Sequence, residues 1–188
     1  MDYDIEQLAA ADAPDKATFG RIYERAFTPP PLGHDPATAT VFTQLYEQAL
    51  EHPNVIVCVA RHRDGGLAGL CYGYPWHWSE RTDAWSQDLR SRLDDSAIAH
   101  LEGAFAVVTL GVDPDHQGHG VGSTLLQSTL DTSACSRAWL LTEQVDSPAL
   151  RLYRAGGWTE LGFGPPAGDR PTLVLTHDTS TSNATNSR

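Results

Sequence analysis

The stretch Asp113-Pro114-Asp115-His116-Gln117-Gly118-His119-Gly120-Val121-Gly122-Ser123-Thr124-Leu125-Leu126 decides how this chain folds. Before it, Gly103 to Val112 (GAFAVVTLGV) reads as a buried strand, and after it an apolar helix runs to about Leu130. A strand that turns directly into a helix presents several unpaired backbone N–H groups at the positive end of the helix dipole. That arrangement binds phosphate. Glycine suits such a turn because a Cβ would keep a pyrophosphate from the amides and because the backbone can then take positive φ. The glycines run G-x-G-x-G rather than G-x-G-x-x-G, and no Gly-Lys-Ser/Thr follows, so neither the dinucleotide fingerprint nor the nucleoside triphosphate loop is present.

Working outward, Asp2 to Ala10 reads as a first strand and Ala13-Pro14-Asp15 opens an amphipathic helix to about Phe27. The prolines of Thr28 to Pro36 break it, and a second helix is expected from about Thr38 to Glu51. From Asn54 to Tyr74, two β-branched runs joined at Asp64-Gly65 form a hairpin. Past Pro75, Trp85, Leu89 and Leu93 recur at helical spacing, so the segment is expected to be a helical insertion over the sheet. Arg137 to Thr142 is the next strand. Ser147 then caps a helix with Pro148 in its first turn and Gly156-Gly157 at its end. Strands are expected near Thr159 to Phe163 and Thr172 to Thr176. The expected organisation is one domain over 1–177, an α/β fold, and a disordered polar tail over 178–188.

The 188 residues carry 13 Lys and Arg against 24 Asp and Glu, a net charge of −11, which argues against nucleic acid and suits a cationic or amine-bearing partner. Three cysteines without CxxC spacing give no disulfide framework, and a reducing cytoplasm fits them. No leader-like segment and no run of 18 apolar residues is present, so neither export nor membrane insertion is expected. The histidines lack ligand spacing with cysteines or carboxylates, so no metal site is expected.

Val112-Asp113-Pro114 followed by Gln117-Gly118-His119-Gly120-Val121-Gly122 resembles the central motif of the Gcn5-related N-acetyltransferase (GNAT) superfamily. AWLLTEQVDSPALRLYRAGGW, with its LY and GW elements, resembles that family's second block, and the spacing between the two is similar. The resemblance extends from about Asn54 to Leu175 and is nearest to actinobacterial small-molecule members. It implies a mixed, mostly antiparallel sheet of about seven strands with helices on both faces. It also implies acetyl-CoA as donor, with backbone groups of Leu110 and Val112 pairing with the pantetheine arm and amides from Gln117 to Ser123 (Gln117, Gly118, His119, Gly120, Val121, Gly122, Ser123) holding the pyrophosphate. Tyr153, at the LY position, would return a proton to the departing thiolate, since a phenol stays protonated at neutral pH. Homodimers are common in the family.

Two positions depart from the family pattern. Ala106 stands where many members have a glutamate, and Asp146 where many have asparagine. Substitute bases are Glu102, Glu143, Asp146, His77 and His100, with Glu143 the choice by family geometry. Trp76, His77, Trp78 and Trp85 either line an acceptor pocket or cover the sheet. The expected activity is acetyl transfer to the amine of a small molecule, such as an antibiotic or another specialised metabolite. The alternatives are a different acyl-CoA or carrier-protein thioester as donor, or a non-catalytic acetyl-CoA sensor.

Overall fold

The computed structural model describes residues 2–179. Its elements follow the order β1 (Tyr3–Leu8), α1 (Lys16–Phe27), α2 (Pro36–Leu50), β2 (Ile56–His62), β3 (Leu67–Pro75), α3 (Ala84–Arg92), α4 (Asp95–Leu101), β4 (Phe105–Val112), α5 (Val121–Ser133), β5 (Arg137–Glu143), α6 (Pro148–Ala155), β6 (Thr159–Ala167) and β7 (Arg170–Asp178). The strands belong to a mostly antiparallel seven-stranded sheet, as expected for the α/β class. By packing, the described chain divides into two compact units, residues 2–74 with 107–133, and residues 75–106 with 134–179.

In the first unit β1 runs antiparallel to β2, from Tyr3 opposite His62 to Leu8 opposite Val57, and β2 runs antiparallel to β3. β2 and β3 read as continuous apolar runs because both of their faces are covered. Val57 and Val59 of β2 with Leu70 and Tyr72 of β3 meet Phe19, Ile22 and Tyr23 of α1 and Ala39, Tyr46 and Ala49 of α2. Phe19 stacks on Tyr46 at 4.1 Å and meets Tyr72 edge-on at 5.9 Å. The alternate positions face α5: Cys71 contacts Thr129, and a Cβ on Gly69 would lie 3.2 Å from Leu125. Burial pushes the Cys71 thiol up to about 12, so it stays an inert apolar filler.

Aspartates cap the first two helices. Asp15 accepts the Thr18 N–H at 2.8 Å and Asp35 accepts the Thr38 N–H at 2.7 Å. These backbone hydrogen bonds hold both carboxyls below the usual carboxylate range. Their folded values lie below their unfolded ones, so the stability they contribute is present above about pH 4 and lost as pH falls through the folded values. A D15N/D35N double variant is therefore expected to melt at a lower temperature than the parent near neutral pH. The gap should close as the scan moves to about pH 3.

In the second unit β7 lies between β5 and β6, pairing antiparallel with each. β6 and β7 both run longer than the sequence suggested. Pro165 and Pro166 sit within β6, which among the described strands pairs with β7 at the edge of the sheet, and an edge strand tolerates the missing donors. The insertion is two helices rather than one. Leu93 ends α3, and Asp94 restarts the chain by accepting the Ala97 N–H at 2.8 Å. Leu93 packs against β6, where a Cβ on Gly162 would lie 3.0 Å from it. Trp76 and Trp78 are buried cover rather than pocket lining. Trp76 meets Trp139 edge-on at 4.9 Å and Trp78 edge-on at 5.3 Å, and the Trp78 indole N–H donates to the Ile98 carbonyl. Trp85 is exposed. Asp178 ends β7 instead of opening a tail, and residues 180–188 of the expected tail lie outside the described residues.

Candidate active site

β4 delivers the chain to the glycine turn. Its pattern leaves Val108, Leu110 and Val112 half-buried while Thr109 and Gly111 are buried, so the two residues expected to meet a pantetheine arm share one strand face. Asp113 then anchors the turn. Its N–H donates to the Ala68 carbonyl at 2.9 Å, and its carboxylate pairs with the Arg25 guanidinium, which also reaches Asp115 at 2.8 Å. The Arg25 contact holds the Asp113 carboxyl below its ordinary range. The Gln117 side-chain amide donates to the Val112 carbonyl at 2.9 Å, tying the turn back to the strand.

Gly118 and Gly120 have φ of +78° and +80°. A Cβ at Gly118 would meet nothing within 4 Å, so what demands glycine is the left-handed backbone and not crowding by the protein. The first intrahelical bond of α5 runs from the Thr124 N–H to the Gly120 carbonyl. The N–H groups of Val121, Gly122 and Ser123 are therefore left without an intrahelical acceptor. Among the described residues the N–H groups of Gly118, His119 and Gly120 also lack a carbonyl partner. The hydroxyls of Ser123 and Thr124 turn inward to the Gly120 carbonyl, and the first turn of α5 carries no acidic residue. This cradle of amides at a helix N-terminus fits a diphosphate.

The other expected residues lie in the second unit. On α6 the Ser147 hydroxyl accepts the Leu150 N–H at 3.1 Å, and the chain doubles back at Gly156 and Gly157, the latter with φ of +78°. That reversal brings the Trp158 N–H onto the Tyr153 carbonyl at 3.1 Å and the two rings to 5.7 Å, which explains the glycines between them. The Tyr153 ring is buried. Glu143, at the end of β5, is buried and accepts from Arg170 at 2.8 Å. Asp146 is exposed and paired with Arg151. The His100 ring uses both nitrogens, Nε2 with Thr176 at 3.0 Å and Nδ1 with Arg137 at 3.5 Å. Glu102 accepts the Trp78 N–H at 3.0 Å and meets His77 Nδ1 at 2.8 Å, contacts that together hold its carboxyl below the usual range. Sequence reasoning named His77 and Glu102 separately and missed that they pair. No group of three metal-ligating side chains occurs among the described residues, and none of their helices is long and apolar enough to cross a membrane.

A strand, a G-x-G amide turn and a helix N-terminus thus follow one another on this mostly antiparallel sheet. The chain belongs to the acetyltransferase (GNAT) family, whose model matches residues 19–157. Among curated proteins it is 38% identical over 59 residues to the N-alpha-acetyltransferase RimI of Mycobacterium tuberculosis, a match spanning 31% of this chain and 37% of that one. Among solved structures, a GNAT-family protein from Desulfovibrio desulfuricans aligns with TM-score 0.65 and 16% identity, covering 94% of this chain and 99% of that one. The yncA protein of Salmonella typhimurium, solved with its cofactor acetyl-CoA, aligns with TM-score 0.58 and 18% identity over 95% of each chain.

Proposed function

We propose that the chain is an N-acetyltransferase that takes acetyl groups from acetyl-CoA and gives them to the amine of a small molecule, an antibiotic or specialised metabolite being the class in view. The observation that carries this reading is the row of unpaired amides from Gly118 to Ser123 at the start of α5, in a chain of the acetyltransferase family. The amine nitrogen attacks the thioester carbonyl, the C–S bond breaks, a base takes the proton from nitrogen, and Tyr153 protonates the departing thiolate. The net charge of −11 favours a cationic acceptor. Cys58, Cys71 and Cys135 are joined by no disulfide among the described residues, which suits a reducing cytoplasm, and a homodimer is part of the same reading.

For the base we favour His77 over Glu143. Glu143 is committed to Arg170, whereas His77 has Nδ1 held by Glu102 and Nε2 without a partner among the described residues. A ring oriented by a carboxylate through one nitrogen and open at the other is the arrangement of an acting base. H77Q is expected to lower kcat about 100-fold at neutral pH, with donor affinity unchanged. An unchanged kcat would return the role to another group.

The test of the whole reading is calorimetric titration with acetyl-CoA, CoA and a longer acyl-CoA, followed by a thiol-release screen over amines. Micromolar binding, about −8 kcal/mol, with acetyl-CoA turned over fastest supports it. Preference for the longer chain moves the donor, and binding without turnover by any amine moves the chain to a sensor.

A further inference from the structure

Beside the amide turn, four rings from three separate segments come together. Tyr3 of β1 lies 5.4 Å from the His62 ring of β2, 5.6 Å from His116 and 6.3 Å from His119 by ring centroids, and His62 lies 5.4 Å from His116. The Tyr3 hydroxyl meets His116 Nδ1 at 3.1 Å. A hydroxyl both donates and accepts, so this contact survives whichever way the imidazole is protonated. Neither His62 nor Tyr3 belongs to the turn, yet both reach its edge.

The permanent charges around this cluster are already spoken for. Arg25 of α1 is shared by Asp113 and Asp115, Arg61 of β2 pairs with Glu6 of β1 at 3.1 Å, and Arg63 pairs with Asp2 at 3.2 Å. Asp64, in the β2–β3 turn, faces His62 Nδ1 at 3.0 Å and lies within Coulomb range of His116 as well. With the imidazoles neutral, Arg25 alone stands against the carboxylates of Asp64, Asp113 and Asp115. With all three imidazoles charged, positive groups outnumber those carboxylates. The sign of the local charge beside an anion-binding turn therefore depends on whether these imidazoles carry a proton.

We propose that His62, His116 and His119, gathered round Tyr3, form a proton-dependent anchor for the pyrophosphate of the donor nucleotide, so that the donor binds more tightly as the imidazoles charge. The proposal rests on the reading of the turn as the donor's phosphate site. It gives an acidic protein a way to hold a polyanion with titratable rather than permanent cations, and it makes donor binding take up protons. One added charge a few ångströms from a phosphate is worth about fivefold even at the dielectric of water.

The experiment is calorimetric titration of the full chain with 3′-dephospho-CoA, whose pyrophosphate charge stays constant, at about pH 8 and about pH 5.5. The parent protein is expected to bind at least about tenfold more tightly at the lower pH. The H62Q/H116Q/H119Q variant is expected to show less than a twofold change. Runs in two buffers of different ionisation enthalpy near pH 6.5 should report proton uptake by the parent and none by the variant. H119Q alone, at an exposed position, should fold whatever the triple variant does, and should lose at least about twofold of the gain. Equal gains in parent and variants, or affinity that is flat with pH in the parent, overturn the anchor while leaving the donor reading standing. No heat with dephospho-CoA or CoA at either pH, from folded protein, overturns both.

Discussion

Tyr153→Phe is expected to lower kcat by 100-fold or more while donor affinity stays within about twofold, because general acid catalysis by a positioned group contributes on the order of 10²–10⁴. The substitution removes one oxygen from a ring that is otherwise held by burial and by Trp158, so the packing of α6 should persist. In the proposed mechanism the phenol is needed only when the C–S bond breaks and the thiolate requires a proton. Loss should therefore fall on kcat, and on kcat/KM for the amine, without a matching change in donor binding. An acceptor that is a weaker base should not rescue the variant, whereas a thioester with a more acidic leaving thiol should recover part of the rate. Unchanged kcat would remove Tyr153 from the chemistry and leave it a packing residue.

The second large effect is expected at Gly120. With φ of +80°, this position excludes a β-branched side chain, so Gly120→Val should pull the following amides out of alignment. Charge-assisted hydrogen bonds contribute about 1.5–3 kcal/mol each, and loss of one or two weakens donor binding about 100-fold. The turn is exposed and a Cβ there meets only the Ser123 hydroxyl, at 3.9 Å, so the cost to stability is that of the strained backbone alone, a fall in melting temperature of about 2–4 °C per kcal/mol. Titration with acetyl-CoA beside a thermal melt separates the two quantities. A variant that binds within threefold of the parent would show that these amides do not hold the phosphates. Gly120→Ala should fall between, since alanine tolerates the left-handed region at a cost of about 1–2 kcal/mol.

Several elements were legible because their signals are local. β2 and β3 announce themselves by β-branched runs around Asp64-Gly65, and α6 by Ser147, Pro148 and the two glycines that end it. The insertion was half-read. Trp85, Leu89 and Leu93 gave the period of α3, but α4 is only seven residues long and its cap, Asp94, looked like one more charge in a polar segment. Pro165 and Pro166 disguised the length of β6, since a proline pair reads as a break unless one knows that the strand lies at an edge.

The site was legible where it is made of backbone and obscure where it is made of side chains brought from afar. Gly118 and Gly120 declare their φ by being glycine. Nothing in the sequence couples Arg25 to Asp113 across 88 positions, Tyr3 to His116 across 113, or His77 to Glu102 across 25. Those pairings are consequences of strand register and helix docking, which a single sequence does not display. The same holds for Glu143, whose acidity was visible and whose partner Arg170 was not.

The cluster of Trp76, Trp78 and Trp139 has an optical consequence. All five tryptophans of the chain, with Trp85 and Trp158, lie in the second unit, while Tyr3, Tyr23, Tyr46, Tyr72 and Tyr74 lie in the first. Indole emission under tryptophan-selective excitation thus follows one unit, and phenol absorbance follows mainly the other. Unfolding curves recorded at the two chromophores report separately on the half that carries α6 and the half that carries the glycine turn, and their coincidence or divergence measures how cooperatively the chain melts.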